Sequence, residues 1–151
     1  MGEIATLERR AEVRSIEKTI SECPEARFGD YCPLMHSFAD GCYVREIFIP
    51  AGELLVGKIH RHSHPNFLMK GRVTVLTEDG GTQELIAPTY MISPPGTKRV
   101  VYVHEDCVWI TVHVTDETDL DKIEEYVIAP DYDDEELTKK QVDALESLWL
   151  G

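Results

Sequence analysis

Three histidines, His60, His62 and His64, stand at every second position of the stretch GKIHRHSHPNFLMKG (residues 57–71), with Lys58 and Arg61 interleaved among them. Neutral imidazole is a common ligand of transition ions, so the spacing invites a metal centre. Lysine and arginine are the opposite signal, because they repel a cation and recognise carboxylate or phosphate. No acid occurs between Leu54 and Leu76, so nothing local would offset an ion's charge. Two chemistries are therefore open here. His60, His62 and His64 could hold a divalent ion, or Lys58 could hold an anion with the imidazoles as hydrogen-bond donors. Lys98 and Arg99 form a second basic spot further along the chain.

Positioning these groups requires a strand, where side chains two apart share a face. Leu54, Val56, Lys58, His60, His62 and His64 then line one side, apolar at one end and cationic at the other. A barrel whose deep end is core and whose mouth binds a ligand reads this way. Residues i and i+4 of a straight strand lie ~13 Å apart. His60, His62 and His64 can therefore share one ion only if the chain bends near Ser63-His64-Pro65. Short runs rich in Val, Ile, Thr and aromatics predict strands over 43–49, 54–60, 66–70, 72–77, 83–87, 90–93, 98–103 and 107–114. The turn signals PAG, HP, EDGG, PPG and HED separate them, the last placing His104-Glu105-Asp106 in a hairpin turn. Eight such strands without intervening helices indicate an all-β sandwich or jelly roll. On the last strand Trp109, Thr111 and His113 share one face and Val108, Ile110, Val112 and Val114 the other. Parity alone leaves open which face is interior.

Around this core, Ile4, Leu7, Ala11, Ile16 and Ile20 recur at helical intervals, predicting an amphipathic helix that ends at Cys23-Pro24. Residues 24–42 read as irregular, with His36 among them, 119–126 as a short helical turn, and 134–150 as a closing helix with an apolar stripe. The 151 residues suit one domain: an N-terminal helix and arm (1–42), a barrel (43–115) and an acidic C-terminal helical extension (116–151). Net charge is −13, which argues against a nucleic-acid or anionic-membrane partner. From Glu105 onward there are 15 acids against three lysines, so the acidity belongs to the periphery. Charges interrupt the N-terminal apolar runs, MGEIAT meets the loose myristoylation pattern only as an ordinary start, and no apolar run would span a bilayer. Cys23, Cys32, Cys42 and Cys107 form no CxxC pair and read as reduced thiols of a cytoplasmic protein.

Beyond these patterns, residues 43–114 resemble the cupin family of double-stranded β-helix barrels. The family's first motif is matched without a gap from Gly52 through Lys58-Ile59-His60 and His64 to Gly71. The second is followed from Pro88 through Pro94-Pro95-Gly96 and Arg99 to Val103, sixteen residues after the first. The resemblance implies a jelly-roll barrel with helical extensions. It also implies that Lys58, His60, His64 and Arg99 occupy the family's four metal-ligand positions, two of them now cationic. The expected function is a small-molecule-binding cupin, of the short kind common in phage and bacterial genomes, needing no cofactor. Its small anionic ligand (a nucleotide, sugar phosphate or carboxylate) would sit at Lys58, His60, His62, His64 and Arg99, and the protein would be a homodimer or higher homo-oligomer. One alternative is a metal-dependent isomerase, lyase or dioxygenase with Fe, Mn, Ni or Zn on His60, His62 and His64. A structural scaffold is the other. Glu46 and Glu53, the nearest acids, take no assigned role.

Overall fold

In the computed structural model, which describes residues 3–24, 26–27, 31–77 and 81–139, nine strands and two helices form. They run α1 (Glu3–Ser21), β1 (Leu34–Ala39), β2 (Cys42–Ile49), β3 (Leu54–Val56), β4 (Ile59–His60), β5 (His64–Thr77), β6 (Gly81–Ile86), β7 (Thr89–Ser93), β8 (Arg99–Val114), α2 (Leu120–Val127) and β9 (Ile128–Ala129). The main sheet has the order β1-β2-β8-β5-β6, with β3 on β8, β7 on β5, and every pairing antiparallel. β5 and β8 are its spine. The first half of β5 pairs with β7 and its second half with β6, while β8 meets β3 at one end and β2 at the other. Two long strands shared in this way curl the sheet into a roll. The architecture is thus all-β, a single double-stranded β-helix with terminal helices.

Inside the roll, alternation does what the pleat dictates. Leu68, Val73, Val75, Val103, Cys107 and Trp109 are buried in one apolar cluster. This settles the parity of β8: Trp109, Thr111 and His113 face inward and are buried, while Val108, Ile110, Val112 and Val114 face out. Two expectations are corrected. The strands predicted at 98–103 and 107–114 are one strand, so His104-Glu105-Asp106 is no turn; His104 Nε2 lies 2.6 Å from Thr74 Oγ1 across the sheet. Residues 34–39, read as irregular between Pro33 and Gly41, form β1, because pairing with β2 supplies the hydrogen bonds that the short segment could not signal by itself. The expected turn at 78–80, residues 1–2 and the closing helix beyond 139 lie outside the described residues; 135–139 are helical.

β5 and β8 stay paired across the spine through a bulge, with register shifts between Leu68 and Val73. Gly71 sits in it at φ +99°, and a Cβ there would lie 2.5 Å from the Asp106 carbonyl oxygen and 2.8 Å from that of Glu105. Both obstacles are backbone, so nothing can swing aside. Gly71→Ala is expected to destabilise the fold by about 3 kcal/mol, read as a lower urea midpoint at unchanged slope.

The terminal elements are tied to the roll by charge. The acids of the C-terminal part return in space to the bases of the inner segments: Lys58 to Glu124, and Arg61 to Asp134 through two 3.0 Å contacts. Arg72 pairs with Glu84 (3.0 Å), and Lys98 with Glu17 of α1 (2.9 Å). Asp134 also accepts from the Leu137 amide, capping the following helical turn. α2 begins with Asp119 accepting from the Asp121 and Lys122 amides, and buries Ile123 and Val127 against Tyr43. Among the described side chains of α1 Val13 is fully buried, while Leu7 of the predicted stripe is half exposed. The reason is that Arg10 and Arg14 lie over the Tyr132 ring, at 4.4 and 5.1 Å, and so turn a cationic face of the helix toward the body. No helix among the described residues is long and apolar enough to cross a membrane.

Candidate functional site

Enclosed by the roll is a cavity of about 960 Å³. Its wall comes from alternate residues of β2 (Tyr43, Arg45, Ile47, Ile49) and of β8 (Arg99, Val101, Trp109, Thr111, His113), with Leu55 and His60 beside them. α1 and α2 border the opening, where the acids Glu17, Asp121 and Glu124 lie. The wall inside the roll thus carries Arg45 and Arg99 among mainly apolar and aromatic residues, while the opening mixes the bases Arg14, Lys18, Arg27 and Lys58 with acids of the two bordering helices.

The five residues singled out in the sequence part company here. His60 and His64 are brought together, ring centroids 4.4 Å apart, because the chain breaks pairing after His60 and bends through 61–63 before β5 begins. His62 is not with them: its ring lies 4.4 Å from that of Tyr126, and its Nε2 donates to the Tyr126 carbonyl oxygen at 3.1 Å. The bend puts the odd histidine on the other side, a change of parity that strict alternation could not show. The third imidazole of the cluster is His113, with its centroid 5.0 Å from His64 and 5.8 Å from His60. Lys58 does not converge with Arg99; its ammonium pairs with the Glu124 carboxylate at the rim, and its side chain is half exposed. Lysine near an acid-rich helix takes the solvated pairing rather than the desolvated interior.

Arg99 stays inside. Its Nη2 donates to Asn66 Oδ1 at 3.1 Å and to the Ser93 hydroxyl, and its guanidinium carbon lies 5.5 Å from the Trp109 ring centroid. Asn66 is fully buried and is the hub of this arrangement. Its Oδ1 also accepts from Trp109 Nε1 (3.1 Å), and its Nδ2 donates to Ser93 Oγ (2.8 Å). The cation is therefore held in one orientation by groups that are themselves locked. Arg45, Asn66 and Ser93 line this region without having been singled out, while His113 and Trp109 were candidates only if their face of the last strand turned inward, as it does. The signal available was the alternation Tyr43-Arg45-Ile47-Ile49 against Val44-Glu46-Phe48, in which a base and an acid on opposite faces made either face a candidate interior.

Burial dominates the electrostatics. It lowers the His60 pKa to about 2, with further contributions from His64, Arg99 and His113. It takes His64 to about 4, opposed by the hydrogen bond to the His62 carbonyl, and His113 to about 3, with help from His64 and Arg45. All three rings are neutral at pH 7. Among the described residues His60 Nδ1 and His64 Nε2 are buried with no hydrogen-bond partner, which leaves donor or acceptor capacity for something bound.

A divalent ion of the family type does not fit this donor set. Of the four positions that the resemblance assigns to ligands, Lys58 and Arg99 are cations engaged with Glu124 and with Asn66 and Ser93, and no carboxylate replaces them. Among the described residues no group of three or more His, Cys, Asp or Glu side chains is arranged to hold a metal ion.

Strand order and pairing define the class of fold, an antiparallel double-stranded β-helix. Comparison with solved structures finds chains of similar fold. A cupin superfamily protein from Desulfitobacterium hafniense matches at 13% identity over 61% of this chain and 84% of that one, TM-score 0.49. An RmlC-like cupin with a double-stranded β-helix fold from Methanocaldococcus jannaschii matches at 15% identity, 58% and 86% coverage, TM-score 0.46. An acetylacetone dioxygenase from Acinetobacter johnsonii matches at 20% identity, 55% and 58% coverage, TM-score 0.43. No family model and no curated protein matches the sequence.

Proposed function

We propose that the protein is a binding module for a small organic anion, gripped by Arg99 and Arg45 in the barrel cavity. The observation that carries this reading is the fixed guanidinium of Arg99, braced by Asn66, Ser93 and Trp109 on the wall of a largely apolar and aromatic space. A braced arginine costs little ordering on binding and offers a planar fork to a carboxylate or phosphate. Among anions, the lining favours a carboxylate with an apolar body over a nucleotide or sugar phosphate. Ile47, Ile49, Leu55 and Val101 offer no partners to sugar hydroxyls. His60 Nδ1 would complete the contacts of the head group.

Native mass spectrometry of untagged protein, followed by calorimetric titration with short aryl and alkyl carboxylates and with inorganic phosphate, tests this. Arg99→Ala is expected to weaken carboxylate binding about 50-fold or more, since a buried charge partner is removed. Indifference of every carboxylate to Arg99→Ala and Arg45→Ala would end the reading. About one equivalent of a transition metal in untagged protein, lost in His60→Ala, would replace it with the metal-dependent alternative.

A further inference from the structure

The inner face of the sheet is not apolar throughout. One cross-strand row reads His36, Arg45, Thr111, Asn66, residue opposite residue from β1 through β2 and β8 to β5. In the next row Tyr43 stands level with His113. His36, Tyr43, Arg45, Thr111 and His113 all line the cavity. Along β2 the wall therefore passes from apolar at Ile47 and Ile49 to hydrogen-bonding at Tyr43, with Arg45 between. A ligand made only of a head group and an apolar body would press carbon against these polar groups, which is unfavourable wherever they lose water without gaining a partner.

Within this patch Nδ1 of His36 lies 2.6 Å from the Tyr43 hydroxyl. The two rings are stacked at 5.8 Å and 18°, and the Tyr43 ring is stacked in turn on that of His113 at 5.8 Å and 24°. Tyr43 is buried and also packs against Ile123 and Val127 of α2. Its phenol is thus fixed in position by β1, β8 and α2 together. Whichever of the two groups donates, a phenol has one proton and two lone pairs, so it has capacity beyond the imidazole. A hydroxyl group meets that capacity as donor or as acceptor, whereas an apolar group does neither.

We infer that the ligand is a carboxylate whose apolar body also carries a hydroxyl group, read by the His36–Tyr43 pair while Arg45 and Arg99 hold the carboxylate. The inference rests on the arginine reading above and adds a second point of contact to it. Tyr43 and Arg45 stand two apart on one strand face, ~7 Å along β2. With a hydrogen bond at each end, that span places the hydroxyl oxygen about four or five bonds from the carboxylate carbon. In an aryl acid these are the meta and para positions; an ortho hydroxyl falls short.

Calorimetric titration of the untagged full chain with benzoate and with ortho-, meta- and para-hydroxybenzoate tests this. The meta or the para acid is expected to bind about tenfold more tightly than benzoate, and the ortho acid no more tightly. Tyr43→Phe keeps the ring and its stacking, so it should erase that preference while leaving benzoate affinity unchanged. His36→Ala should reduce the preference in the same direction. A merely structural effect would shift all four ligands together. Equal affinity for all four acids, a preference confined to the ortho acid, or a preference that survives Tyr43→Phe overturns the inference and leaves the arginine reading standing. Failure of the parent protein to bind any of the four removes both.

Discussion

Between pH 7 and pH 5 the protein should lose about 4–6 kcal/mol of folding stability, most of a small domain's total. Three histidines carry this expectation. An imidazole in the unfolded chain takes its proton near pH 6.5, whereas burial holds His60, His64 and His113 at about 2, 4 and 3 in the fold. Folded pKa values below the unfolded one mean that the unfolded state binds the extra protons. The stabilisation is therefore complete above pH 6.5 and declines as pH falls below it, at up to about 4 kcal/mol per pH unit near pH 5 with three groups acting. Urea midpoints measured from pH 7.5 to 4.5 check this, and His113→Asn should flatten the slope by about a third. A midpoint unchanged between pH 7 and 5 would show that the cluster is open to water and can charge in place.

The second large effect should come from Asn66→Ala. This removes the acceptor of both Trp109 Nε1 and Arg99 Nη2 and the donor to Ser93 Oγ, in a position with no access to solvent. Stranding those partners costs about 1–3 kcal/mol each, so a loss of about 4 kcal/mol is expected in the denaturant transition. Asn66→Asp separates the structural role from the electrostatic one. A carboxylate there still accepts from Trp109 and Arg99 and should keep most of the stability, but it cancels the arginine's charge. Anion binding should then fall as far as in Arg99→Ala while the fold persists. If Asn66→Asp bound carboxylates as tightly as the parent protein, Arg99 would not be the group that holds them.

Local chemistry was enough to read the barrel. Glycine and proline punctuation, period-two alternation and the gap-free frame from Gly52 to Gly71 and from Pro88 to Val103 all depend on near neighbours along the chain. β2 and β7 were legible for that reason, as were the separate halves of β5 and β8 and the inward placement of His60 and Arg99; that each pair of halves is one strand was not. The even spacing of His60, His62 and His64 also showed that only a bend could bring two of them together.

Tertiary structure decided which groups meet. The bend at 61–63 turned His62 away to Tyr126 and left its place in the cluster to His113, fifty-one residues from His62 in sequence. Lys58 and Arg61 looked like a cationic interior because their partners, Glu124 and Asp134, come from a distant acidic segment. Residue type and spacing determine what a side chain can do and which face of its own strand it takes. Whether a charge is spent on a neighbour depends on chain segments that only folding brings alongside, as Glu124 and Asp134 do for Lys58 and Arg61.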